Sequence, residues 1–291
     1  MNNNIRQLLQ KVNRRMASFL LSIAVIIFFA IVLTAFSLYT LPKGNSNNNA
    51  FDRGEKLTYK VYYDAILTGK VIAGEAVFSI NNDNKIYDDQ ETYHIEAVGK
   101  TKGAFNLFYK VVDRYESYVA EKDLLPRLFI RRVDEGGYTI KQNVFFEPST
   151  NSASFKDLKN NRTSTLKIPD NTHDLLSVIY YARTLDYSDA KKGDMYSFNF
   201  LIDDTVYSSS IEIMGRKTIS TSIGNVKCIH MRPRVITGSV FKDEYPMNLY
   251  VSDDENKIPL LMSTGVIIGT VKMELVKYSG LRNSFTALEK N

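Results

Sequence analysis

The 291-residue chain has no tryptophan, one cysteine, seven prolines and three histidines. A single cysteine, Cys228, excludes an intramolecular disulfide. The chain must therefore hold together by a hydrophobic core, and residues 51–291 are long enough to build one. The flanking string NVKCI reads as a strand, which makes Cys228 a buried, inert thiol. The histidines His94, His173 and His230 are scattered, with no H-E-x-x-H and no cysteine partner, so their spacing offers no metal site. There is no G-x-S-x-G, Walker A or G-x-G-x-x-G string. The expectation is a chain without metal or cofactor. Acidic residues are absent from residues 1–50, which hold Arg6, Lys11, Arg14, Arg15 and Lys43. Removing those five from the 37 basic residues leaves 32, matched by 32 acidic ones. The net charge of +5 is thus a property of the N-terminus, and a neutral body argues against nucleic-acid binding.

What is present first is a run without any charge, residues 17–41, rich in Ile, Leu, Phe, Val and Ala. As a helix it would measure about 37 Å, enough to cross a hydrocarbon core of about 30 Å. Tyr39 suits the interface at its outer end, and Pro42 stops it. Four cations precede the run, so residues 1–16 are expected in the cytoplasm and the body outside it. The expected localisation is a bacterial inner membrane, crossed once, with a periplasmic body. The competing reading is a cleaved signal peptide, with Ala35-Phe36-Ser37 as a poor site, which would release the body to the periplasm. The run exceeds the usual length of such a peptide's apolar region, which favours the uncleaved anchor. Residues 42–50 read as a short polar linker.

Residues 51–280 read as one β-rich domain, followed by a polar, flexible tail over 281–291. Alternation and β-branched or aromatic content mark strands at 56–63, 69–80, 93–98, 111–119, 127–133 and 138–146. After a polar stretch they resume at 196–201, 206–214, 217–222, 225–231, 244–251, 260–263 and 266–278. Gly136-Gly137 and Gly215-Arg216 fall where turns are needed. One segment, DLLSVIYYARTL at 174–185, has apolar residues at helical spacing, with Asp170 or Thr172 as candidate caps. A second, shorter helix is expected around 104–108. The fold class is mainly β: a curved antiparallel sheet or partly closed β-barrel with one packed helix at about 171–185, preceded by a single transmembrane helix.

Several strings in order carry a resemblance. They are GEKLTY at 54–59, GKTKGAF at 99–105, VDRYESY at 112–118, DLLS and YYAR within 174–183, Ser252-Asp253 with Ile258-Pro259, and GTVKMEL at 269–275. Together, over about residues 51–280, the chain resembles the domain-of-unknown-function 3108 family of exported bacterial envelope proteins. The resemblance implies an exported, mainly β domain and no particular activity. The anchor at 17–41 departs from it, since such domains often follow a cleaved signal.

Candidate chemistry is sparse. Two S-x-x-K strings, Ser164 to Lys167 and Ser188 to Lys191, lack the companion motifs of penicillin-binding enzymes. Asp113 and Glu116 flank Arg114, and Asp253, Asp254 and Glu255 cluster; paired carboxylates at working distance hydrolyse glycosidic bonds. The plainer reading is an ion network and a solvated turn. The aromatic content, 18 Tyr and 16 Phe, is explained by core packing or by an apolar cavity between sheet and helix. In the second case Arg114, Tyr180 and Arg183 are the candidate ligand-binding residues, with an arginine near the mouth to meet an anionic head. The first expectation is therefore a non-catalytic, membrane-tethered domain. It would bind a hydrophobic or amphiphilic ligand, such as a lipid, or an envelope protein. The alternatives are a cell-wall glycan or lipid hydrolase using Asp113 or Asp253, and a purely structural envelope tether.

Overall fold

Residues 56–65 show how the chain encodes its sheet. Leu57, Tyr59, Val61 and Tyr63 are buried, while Lys56 and Lys60, at the alternate positions, are exposed. This alternation places one face of the strand on the core. The computed structural model describes residues 48–65, 69–234, 246–265 and 269–289. The expected anchor at 17–41 lies outside them, and no helix among the described residues is long and apolar enough to cross a membrane.

The strands in chain order are β1 (Lys56–Ala65), β2 (Gly69–Ile80), β3 (Lys85–Tyr87) and β4 (Gln90–Thr101), then, after a short helix α1 (Gly103–Phe108), β5 (Val112–Ala120), β6 (Pro126–Glu135), β7 (Tyr138–Glu147), β8 (Ser152–Asp157), β9 (Arg162–Lys167) and β10 (Thr172–His173). The long helix α2 (Leu175–Thr184) follows. The remaining strands are β11 (Met195–Ile202), β12 (Thr205–Thr221), β13 (Gly224–Pro233), β14 (Met247–Ser252), β15 (Pro259–Gly265) and β16 (Thr270–Ser279). They form one 16-stranded sheet, ordered from β10 through β16, then β1, β2, β4 and on to β9, with β3 on the side of β4. Neighbours pair antiparallel, apart from the parallel contact of β10 with β11. The first and last strands, β1 and β16, are joined in the middle of the sheet. Its two edges, β9 and β10, are consecutive in sequence, linked by residues 168–171. The architecture is a large curved sheet that does not close, with α2 packed against β4, β5, β10 and β11 and so spanning both halves.

Local chemistry explains the helix. The carboxylate of Asp174 accepts hydrogen bonds from the backbone N–H groups of Leu176 (2.7 Å) and Ser177 (2.9 Å), while the Ser177 Oγ accepts from Asp174 N. This reciprocal box makes Asp174 the cap, in place of the expected Asp170 or Thr172. Thr172 instead belongs to β10, beside Asn199. Ser117 of β5 donates to the second Asp174 oxygen (2.5 Å) and ties the helix start to the sheet.

Three further differences from the sequence reading have physical causes. Gly215 does not turn the chain; it lies inside the 17-residue β12, at φ +121° and beside a register shift, so its conformational freedom serves a bulge. The polar stretch after β7 contains the hairpin β8–β9, whose alternation is masked because β9 is mostly exposed on both faces. Residues of the expected tail lie against the body: Ala287 is buried, Leu288 bridges to Val226, and the Lys227 N–H donates to the Ala287 carbonyl.

Candidate functional site

Helix α2 is apolar on two adjoining faces. Leu175, Leu176 and Tyr180 enter the core. Val178, Ile179 and Ala182, offset around the helix, are only partly buried and line a pocket. The opposite wall comes from alternate residues of four strands: Phe198 and Phe200 of β11, Ser209 and Ile211 of β12, Met231 of β13, and Leu249 and Val251 of β14. The period-two rule puts each pair on the concave side. The pocket is almost wholly apolar, and its cavity, open on one side, is about 90 Å³. Leu175 also borders the pocket, and Arg183, Tyr187, Lys257 and Pro259 complete the lining beside the C-terminal end of α2.

Arg183, one of the three predicted ligand residues, does line this pocket, but its guanidinium is committed elsewhere. It makes a bidentate pair with Glu55 (2.6 and 2.7 Å), and donates to the carbonyls of Asn256 (3.0 Å) and Ala50 (3.3 Å). Both partners are sealed from solvent, Arg183 at 3% and Glu55 at 1% exposure. Burial works against the arginine's charge, and the Glu55 carboxylate outweighs it, holding the guanidinium firmly protonated. The group also lies over the rings of Phe51 and Tyr180. Tyr180 packs edge-on against Phe51, with burial driving its hydroxyl well above the ordinary phenol range. These two residues fasten the helix to the N-terminal segment of the domain and to the turn before β15.

The third predicted residue is not brought to them. On β5, Ser117 faces the helix, so Asp113 and Tyr115 share its side and Arg114 and Glu116 face the other way. Arg114 is about half exposed and pairs with Glu116 (3.1 Å) and Glu96 (3.4 Å). Glu116 also meets His94 Nε2 (2.9 Å), whose Nδ1 meets Asp83. Burial opposes the charge on His94, but the two carboxylates prevail and hold its pKa above the usual value.

The candidate acids also separate. Asp113 is fully buried beside Glu135, with Arg131 near both; burial and the Glu135 charge push its pKa up to about 7. Asp253 instead forms an ion pair with Arg216 (3.0 Å). His173 is buried against Tyr181, and desolvation pulls its pKa down to about 3. His230 meets Asn248 and stacks on Tyr250. No cluster of three or more metal-ligating side chains occurs among the described residues. Cys228 is buried, with its thiol against the Lys217 carbonyl and its pKa raised to about 11 by desolvation.

The sequence reading missed Glu55 and Lys257. Glu55 carries no local signal, because its partner is 128 positions away. Lys257 sits at φ +47°, a left-handed conformation unusual for a lysine. A clue was available in the turn composition around Asp254 and Pro259, but not in any motif.

The family model described as "Protein of unknown function (DUF3108)" matches residues 58–276. No curated protein matches the chain. Among solved structures the chain is similar to a beta-barrel-like protein of domain of unknown function DUF1849 from Brucella abortus, with a TM-score of 0.49 and 13% identity over 78% of this chain and 97% of that one. It is also similar to a protein with a YmcC-like fold from Bacteroides fragilis, with a TM-score of 0.32 and 9% identity over 79% of this chain and 97% of that one.

Proposed function

We propose that this chain, which belongs to the DUF3108 family, is a non-catalytic binding domain for a hydrophobic or amphiphilic envelope ligand. The observation that carries the reading is the apolar pocket between α2 and strands β11–β14. Sites for small apolar ligands combine such a lining with few polar groups. The burial of Asp113 and the pairing of Asp253 favour binding over the hydrolase alternative, which needs two accessible acids. We place the domain in the periplasm, held to the inner membrane by residues 17–41. Six residues, 42–47, separate that run from Asn48, a span of at most about 20 Å. The ligand would then be met at the membrane surface.

The test is lipid mass spectrometry on the full chain, extracted gently from membranes, beside an Ala182→Phe variant that fills the pocket. A stoichiometric lipid in the wild type, lost in the folded variant, supports the reading. Absence of lipid from the wild type, under conditions where a known lipid carrier keeps its own, overturns it.

A further inference from the structure

We infer that the occupant of the α2 pocket is a single-chain amphiphile with an anionic head group, and that the Lys257 ammonium receives the head. The inference rests on the binding role proposed above and names its ligand class.

Two cationic residues line the pocket, and among the described residues one of them, Lys257, is in no ion pair. Arg183 spends its guanidinium on Glu55 and on the carbonyls of Asn256 and Ala50. Among the described residues, no ion pair within 4 Å engages Lys257. Its ammonium is sensed by the exposed Asp186 carboxylate but is not paired with it within 4 Å, so its three N–H donors keep capacity for an arriving anion. A charge-assisted contact from an ammonium to a carboxylate or phosphate is stronger than a neutral one.

The position of Lys257 is also enforced. Its backbone is held at φ +47° by a turn with several independent ties. Asp254 Oδ1 accepts from the Ser252 hydroxyl (2.8 Å) and the Asn256 N–H (3.1 Å), and the Ile258 N–H donates to Ser252 Oγ (2.7 Å). The buried Asn256 side chain donates to the carbonyls of Asn283 and Ser284, while the Asn256 backbone carbonyl accepts from Arg183. A non-glycine residue persists in this region only where its surroundings over-determine it, and such residues gather at ligand clamps. The charge of Lys257 reaches Asp186, which is exposed just past the C-terminal end of α2. Lys257 lines the pocket and is itself only partly buried, so it stands toward the solvent rim.

Volume sets the number of chains. An apolar cavity of about 150 Å³ takes one benzene. The cavity of about 90 Å³ here admits a segment of one alkyl chain, with the rest lying along the open part of the groove. Both a free fatty acid and a lysophospholipid with an anionic head fit this chemistry.

The experiment uses the full chain in nanodiscs with photoreactive probes: palmitate, its neutral isostere hexadecanol, and lysophosphatidylglycerol. Labelling is mapped onto pocket residues by mass spectrometry. In the wild type an anionic probe should label the pocket. Lys257→Gln should lower that labelling about tenfold and leave hexadecanol unchanged. Lys257→Arg should retain it, and Ala182→Phe should abolish all labelling. Labelling by palmitate identifies a free fatty acid, and labelling by lysophosphatidylglycerol alone identifies a membrane lipid; either supports the inference. Anionic labelling unaffected by Lys257→Gln, or an equal loss for acid and alcohol, overturns it while leaving the pocket reading intact. No pocket labelling by any probe overturns both.

Discussion

At the scale of single residues, burial decides the chemistry. Asp113 has no exposure, and its carboxyl faces that of Glu135. Its folded pKa of about 7 stands above the ordinary 3.8, so the folded state holds a proton that the unfolded state releases first. This group therefore favours folding at low pH, and the stability it allows is lost as pH rises from about 4 through 7. His173 acts in the other sense. Its folded pKa near 3 lies below the ordinary 6.5, so acidification below pH 6.5 protonates the unfolded chain and weakens folding. Asp113→Asn keeps the acceptor for the Asp134 N–H and removes the charge. It should raise stability by about 2 kcal/mol at pH 8, and the gain should shrink steadily toward pH 4. Urea denaturation of both forms across this range checks it; a gain independent of pH would refute the assignment.

At the scale of elements, β9 is the exposed edge. The Ile168 N–H donates to the Asn151 carbonyl, and the Leu158 N–H to that of Lys141. Alternation then turns the N–H groups of Ser164 and Leu166 toward β8, and those of Thr163 and Thr165 toward the open edge. Proline is tolerated on an edge where its missing donor faces outward. Thr165→Pro should therefore change stability by less than about 0.5 kcal/mol, and Ser164→Pro should cost at least about 1–3 kcal/mol through a broken ladder. Thermal melts followed by circular dichroism separate the two. Equal losses would mean that the β8–β9 ladder has the other parity.

At the scale of the whole molecule, the chain is a ring of neighbours with one gap. The termini of the domain meet, since the Asn283 side chain donates to the Asn49 carbonyl (2.7 Å) and β1 pairs with β16. The gap lies where residues 168–171 connect two unpaired edges. A circular permutant that joins residue 289 to residue 48 by a short Gly/Ser linker, and opens the chain at Asp170, cuts no strand pairing. It should fold with native circular dichroism and stability within about 2 kcal/mol of the uncut domain. Failure to fold would show that the link holds the edges together.

How much was legible follows from the range of each interaction. The strands of β1, β2 and β7, the hairpin turn at Gly136-Gly137 and the α2 face were readable, because alternation and helical spacing are properties of ten consecutive residues. The β9 strand was not, because exposure on both faces leaves no alternation to read. Gly215 reads as a turn in the sequence because its left-handed freedom serves turns and bulges alike. The bulge needs the β13 register to be recognised. Tyr180 and Arg183 were correctly placed on the helix, but their buried roles depend on Phe51 and Glu55.

The sequence by itself determined that the body is β-rich with one amphipathic helix, that its charge is balanced, and that its cohesion owes nothing to disulfides. These follow from composition and from patterns within one element. Only the tertiary structure decided that Arg114 faces away from the helix that carries Arg183, that Glu55 claims Arg183, and that Lys257 lines the pocket beside it. Those outcomes turn on which side chains meet from distant positions, as Glu55 and Arg183 do across 128 positions of chain, and on which groups are already paired when they meet. Charge and hydrogen-bond capacity are finite, so a residue's role is settled by its competitors in space and not by its neighbours in sequence.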